Sequence, residues 1–139
     1  MPFLLDTCAL SEFISRKPQA SVITRLRTLP REETFIPSVA IGEINQGIER
    51  LPPSKRRDEL AAWLFNQVIP AYFDRIIPLD KDEALQWGAL QAHLDSQGKP
   101  IEIEDSLIAA IALTHNLTLV TRNVDHFIHC KVRLYNPWD

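Results

Sequence analysis

The order of short apolar runs and longer amphipathic stretches predicts an α/β fold. One domain over residues 1–139 would carry a mostly parallel β-sheet flanked by helices, in three layers. Three observations carry this reading. Runs such as Phe3-Leu4-Leu5, Thr34-Phe35-Ile36 and Thr118-Leu119-Val120 are short and continuously apolar, as strands buried on both faces are. The stretches between them show helical periodicity. Nearly every proline falls at a boundary between the two kinds of segment.

The elements follow in order. Residues 3–5 form a strand that ends in Asp6. Residues 9–15 form a helix, capped by Asp6 or Thr7 through a side-chain oxygen and ended by Pro18. Residues 21–29 place Val22, Leu26 and Leu29 on one helical face before Pro30. Residues 34–36 are a second strand. Pro37 and Ser38 then open a helix with Ile41, Ile44 and Ile48 inward and Glu43 beside them. Leu51-Pro52-Pro53-Ser54 is a loop within the domain. Residues 55–73 read as one long helix with Leu60, Leu64 and Val68 in one row and Ala61, Phe65 and Ile69 in the next. Residues 75–79 are a strand, and residues 81–97 a helix with Trp87, Leu90 and Leu94 inward, stopped by Gly98. An acidic cluster, Glu102, Glu104 and Asp105, opens an uncharged and therefore buried helix around residues 107–113. That helix feeds the strand at 118–120, and residues 132–135 are the last strand.

Apolar content of 45% and charged content of 24% are ordinary for a soluble globular protein. No apolar run spans a bilayer, and Met-Pro-Phe-Leu-Leu-Asp lacks the basic start of a signal peptide, so a cytoplasmic protein with no membrane association is expected. Cys8 and Cys130 show no metal spacing and read as free thiols. A net charge of -3 argues against broad, non-specific nucleic-acid binding but not against a local basic patch.

The chemistry concentrates in carboxylates. In a parallel sheet, ligands sit beyond the carboxyl ends of the strands. Asp6 follows the first strand, Glu43 lies one turn into the helix after the second, Asp105 opens the buried helix, and Asn123 and Asp125 follow the strand it feeds. Acidic groups crowded at one edge repel unless a cation neutralises them, and hard oxygen ligands suit Mg2+ or Mn2+. Such an ion can ionise water and clamp a phosphoryl oxygen, as phosphodiester hydrolysis requires. Each residue alone has a plainer reading. Asp6 reads first as a helix cap, Glu43 as a solvated helical acid, Asp105 as a first-turn acid favoured by the helix dipole, and Asn123 and Asp125 as turn residues. Their shared edge is what joins them, and Gly47, one turn beyond Glu43, leaves space above that carboxylate.

Other groups carry less. His93, His115, His126 and His129 are scattered and read as surface or satisfied structural residues. Cys8 has no positioned base, Ser106 sits at a helix opening, and four glycines make no phosphate loop. Lys55-Arg56-Arg57 reads as a solvated helix start. Arg16, Lys17, Arg25, Arg27 and Arg31 place positive charge on the first helices, where a phosphate backbone can be contacted.

In combination these segments resemble a PIN-domain protein, and more closely a VapC/FitB-like toxin of a bacterial toxin-antitoxin pair. The resemblance spans essentially the whole chain. It rests on Leu5-Asp6-Thr7 with Ser11-Glu12, residues 37–47 with Glu43, Trp87-Gly88, Asp105-Ser106-Leu107-Ile108-Ala109-Ala110, Leu119-Val120-Thr121-Arg122-Asn123 and Asn136-Pro137-Trp138. It implies a PIN-like nuclease fold and Mg2+- or Mn2+-dependent cleavage of RNA. By position, Asp6, Glu43 and Asp105 match the family's main acidic residues, and Thr7 and Thr121 match polar residues that support them. The fourth acidic position falls on Asn123, with Asp125 displaced by two residues, and Cys8 stands where Asn is frequent. The resemblance further implies a homodimer and a small antitoxin whose C-terminal segment covers the active site and whose N-terminal part binds operator DNA. The expected function is thus a metal-dependent endoribonuclease, with Asp6, Glu43 and Asp105 as catalytic metal ligands. Two alternatives stand beside it: a catalytically silent binding module, favoured by Asn123, and an Asp6-based phosphatase. The second ranks last, because Cys8 occupies the place where such enzymes put a second Asp.

Overall fold

The computed structural model describes residues 2–139. Five strands, β1 (Phe3–Leu5), β2 (Thr34–Pro37), β3 (Ile76–Ile77), β4 (Thr118–Val120) and β5 (Arg133–Tyr135), form one sheet in the order β3-β2-β1-β4-β5. All four pairings are parallel. The central strand places Leu4 opposite Phe35 on one side and Leu119 on the other. The two halves of the chain therefore meet at β1.

Successive strand residues point to opposite faces, and the core divides accordingly. Leu4 and Leu119 pack with α6 (Lys81–Ser96) and α7 (Ile103–Thr114) through Leu90, Leu94, Ile108 and Ile111. Leu5, Ile36 and Val120 pack on the other face against α1 (Thr7–Glu12), α2 (Ala20–Arg27), α3 (Ser38–Arg50) and α4 (Lys55–Trp63), through Leu10, Leu26, Ile44 and Trp63. The expected three layers are present. Ile108, Ala109, Ala110, Ile111 and Ala112 are all fully buried, which is why α7 carries no charge beyond its first turn.

Several boundaries differ from the sequence reading. The first helix begins at Thr7, because Asp6 itself accepts the Thr7 N–H at 2.8 Å, and it stops at Glu12. The long helix over residues 55–73 is interrupted. After α4 comes a π-helical turn at Leu64–Val68, in which the Ile69 N–H reaches the Leu64 carbonyl, and then α5 (Ile69–Ala71). Pro70 explains the interruption. It has no N–H for the regular ladder, and its ring clashes with the preceding turn, which a wider turn relieves. One consequence is that Leu64 and Val68 are buried and Ala61 and Ile69 pack against the same core, while Phe65, the middle residue of the expected second row, is 54% exposed. The third and fifth strands are shorter than expected. A short helix, α8 (Val124–Phe127), occupies a stretch read as a turn.

The stop at Gly98 holds as read. Gly98 adopts φ +62°, the Gly98 and Lys99 N–H groups bond the Asp95 and Leu94 carbonyls, and α6 ends in a Schellman turn. At its other end Asp80 and Glu83 form a capping box, with Glu83 accepting the Asp80 N–H at 2.9 Å. The second Glu83 oxygen lies 2.7 Å from His115 Nε2, which ties α6 to the end of α7 and satisfies that histidine. Burial alone would raise the Glu83 carboxyl. The backbone N–H groups and His115 outweigh it and hold the carboxyl below its ordinary range. Among the described residues no helix is long and apolar enough to cross a membrane.

Candidate functional site

Because every strand is parallel, all strand ends face one edge. Asp6 follows β1 and is 4% exposed. Glu43 lies in the second turn of α3, the helix that leaves β2. Helix α7 returns antiparallel to the sheet, so its first turn, with Asp105, comes back to the same edge. Thr121 follows β4 and is fully buried.

A network of donors fixes these groups. Asp6 Oδ1 accepts the Thr7 N–H at 2.8 Å, and Oδ2 accepts the Thr121 hydroxyl at 2.7 Å. The Thr7 hydroxyl donates to Glu43 Oε1 at 2.7 Å, so one residue holds two carboxylates. The Asn123 N–H donates to Thr121 Oγ1 at 3.0 Å. Asp105 Oδ2 lies 3.1 Å from His126 Nδ1. Asp6 is therefore the helix cap that its plainer reading suggested and also the hub of the cluster.

The expected supporting residues separate here. Thr7 and Thr121 hold the acids directly. Asn123 joins through its backbone, and Asp125 is exposed beside Asp105 in a neighbouring cleft. Sequence reasoning missed His126, which was grouped with the scattered histidines. Its signal was its place three residues after Asn123, one helical turn on. It also assigned no contact to Cys8, whose Sγ stands 3.6 Å from both Asp6 Oδ2 and Thr121 Oγ1 and accepts the Arg122 N–H at 3.4 Å. Both cysteines are free, as expected. Burial, then the Asp6 charge, pushes the Cys8 thiol up, and burial with Asp105 pushes Cys130 up to about 11, so both stay protonated.

Replacing Thr121 by Val keeps the shape but removes a donor to Asp6 and an acceptor for Asn123. We expect a loss of about 1–3 kcal/mol in a denaturant titration.

The electrostatics are those of uncompensated acids. Among the described residues no Lys or Arg pairs with Asp6, Glu43 or Asp105. Burial raises the Glu43 carboxyl first, and the charges of Asp6 and Asp105 raise it further, with only the Thr7 hydroxyl opposing. Asp105 is likewise raised by burial and then by Asp6, against the opposing contact with His126. A carboxyl raised on folding binds more protons in the native state, so stability falls as pH climbs through the raised value. Glu43→Gln, which can still accept from Thr7, should therefore melt higher than the wild type at pH 7 in chelator. The advantage should vanish below the unfolded-state carboxyl value of about 4.3. Melting curves at the two pH values check this.

Among the described residues no group of three or more His, Cys, Asp or Glu side chains is placed to hold a metal ion. The donor set nevertheless fits an ion that retains water. Mg2+ binds through one or two carboxylates and keeps the rest of its shell aqueous. Two clefts flank the acids. One of about 560 Å³ is lined by Thr7, Cys8, Glu43, Gly47 and Arg56, and a side chain at Gly47 would meet open space, as expected. Arg56 is thus more than a solvated helix start. It is half-buried and donates to the Ile14 carbonyl at 2.6 Å. The other cleft, about 630 Å³, runs from Asp105 past His126 and His129. Lys99 lines this second cleft, whereas Arg25 is spent on the Pro137 carbonyl at 2.7 Å.

Residues 3–131 match the PIN domain family model. The chain is 30% identical to the toxin FitB of Neisseria gonorrhoeae over 97% of each chain. It is 29% identical to the VapC ribonuclease Y4jK of Sinorhizobium fredii, over 98% of this chain and 97% of that one. The solved FitAcB of Neisseria gonorrhoeae superposes with a TM-score of 0.92 at 30% identity over 98% of both chains. Agreeing in sequence and in architecture over nearly its whole length, the chain belongs to the PIN-domain family.

Proposed function

We propose that the chain is an endoribonuclease toxin that hydrolyses RNA phosphodiester bonds with the help of Mg2+, for which Mn2+ can substitute. The observation that carries this reading is the convergence of Asp6, Glu43 and Asp105 on one sheet edge, with mutual repulsion and, among the described residues, no Lys or Arg paired with them. Asp6, Glu43 and Asp105 would hold the ion, directly or through its water. Bound there, it supplies a water of lowered pKa and charge stabilisation at the phosphoryl oxygens. The chain's own part is positional. Thr7 keeps Asp6 and Glu43 in register, Thr121 fixes Asp6 from β4, and the buried α7 mounts Asp105 rigidly. The names of the relatives, a toxin and a VapC ribonuclease, support RNA as substrate and a cognate antitoxin as partner. The antitoxin would be a small DNA-binding protein with an inhibitory C-terminal segment. We place the protein in the cytoplasm as a homodimer, and the exposed Phe65, Phe73, Leu85 and Ile128 offer apolar surface for such contacts.

The test is incubation of total RNA with purified protein in Mg2+ and in EDTA, with a mock purification from cells lacking the gene as control. Cleavage in Mg2+ that stops in EDTA is expected. Intact RNA in both, with folded protein, would favour the binding-module reading that Asn123 allows. An Asp6 phosphatase fits less well, because both oxygens of Asp6 already accept hydrogen bonds and the side chain is buried.

A further inference from the structure

The three carboxylates are held by different kinds of donor. Asp6 has a backbone N–H and a buried hydroxyl, and Glu43 has a hydroxyl. Asp105 has a histidine, and among the described residues no other side chain donates to it. An ionised carboxylate only accepts, so His126 Nδ1 carries the proton and donates to Oδ2 across 3.1 Å.

We propose that His126 is a positioning residue for Asp105: by holding Oδ2 it fixes the rotamer in which the carboxylate is presented to a divalent cation at the sheet edge. The inference deepens the nuclease reading and rests on it.

His126 is itself well placed for the task. The next residue, Phe127, is fully buried against the α7 face of the sheet, and the His126 N–H closes the turn onto the Asn123 carbonyl at 3.0 Å. The backbone beneath the imidazole is anchored although the ring is 53% exposed. A pair so exposed on the histidine side contributes little to folding. The Asp105 side chain is only 19% exposed, and without His126 its carboxylate loses its one side-chain donor and gains rotamer freedom. The segment 121–127 thereby serves two acids, since Thr121 holds Asp6 and His126 holds Asp105. It couples the central strand to the buried helix at the point where both reach the cleft.

The experiment compares wild type, His126→Ala and His126→Asn. The Asn amide places an N–H near the position of Nδ1, whereas Ala leaves none. Mn2+ affinity is read by calorimetry, kcat and KM by RNA cleavage, and the melting temperature in chelator reports on the fold. His126→Ala should bind Mn2+ about 10-fold or more weakly, with a similar fall in kcat and little change in KM. Its melting temperature in chelator should stay near that of wild type, and His126→Asn should recover most of both losses. Unchanged Mn2+ affinity and kcat in His126→Ala overturn the proposal, as does a loss that His126→Asn shares in full. If the wild type binds Mn2+ and cleaves RNA in that outcome, only the role of His126 falls. If the wild type binds no Mn2+, the nuclease reading falls with it.

Discussion

Asp6→Asn should reduce RNA cleavage by on the order of 100-fold or more, beyond what loss of an outer-shell partner costs a metal site. The substitution is nearly isosteric. The amide oxygen can still accept the Thr7 N–H, and the Thr121 hydroxyl can turn to accept from the new amide group, so the fold should survive. What disappears is the charge at the hub of the cluster. Initial rates of cleavage at saturating Mg2+, with the circular dichroism spectrum as a control on folding, measure the effect. A variant that cleaves at the wild-type rate removes Asp6 from the mechanism.

Phe127→Ala should cost about 3–5 kcal/mol of stability, the range for emptying a large buried aromatic site. Phe127 is fully buried and packs in the same cluster as Leu4, Leu119, Ile108 and Ile111. It is also the one buried residue of α8, so its loss frees the segment that carries His126 as well as opening a cavity. Chemical denaturation should show a lower midpoint with an unchanged slope. A loss under 1 kcal/mol would mean that α8 repacks and is not pinned by this side chain.

What the sequence disclosed and what it hid follow from physics at particular residues. The strands at Phe3–Leu5 and Thr118–Val120 and the buried helix after Asp105 were readable, because full burial demands continuous apolar runs and α/β alternation leaves few topologies. The shared edge of Asp6, Glu43 and Asp105 followed from parallel strands alone. The π-helical turn did not follow, because the apolar rows through Leu64 and Val68 read equally well as one regular helix. Only the coupling of Pro70 to its preceding turn breaks the row and turns Phe65 outward. The four-residue helix α8 was hidden because so short a helix carries no periodicity and is held by one tertiary anchor, Phe127. His126 was hidden with it. A histidine's partner lies in space, and Asp105 is 21 residues away in sequence. Asp125, the nearest acid to the missing fourth position, remains exposed beside the cleft, while Asn123 contributes a backbone N–H.

The proposed chemistry requires the sheet-edge acids to hold a divalent cation, and a calorimetric titration with Mn2+ tests that directly. The wild-type chain should give a saturable binding isotherm, and Asp6→Asn, folded by circular dichroism, should give one much weaker or none. A wild-type titration without binding heat, with no stabilisation by Mn2+ in a parallel melting curve, would contradict the account. So would two isotherms that coincide.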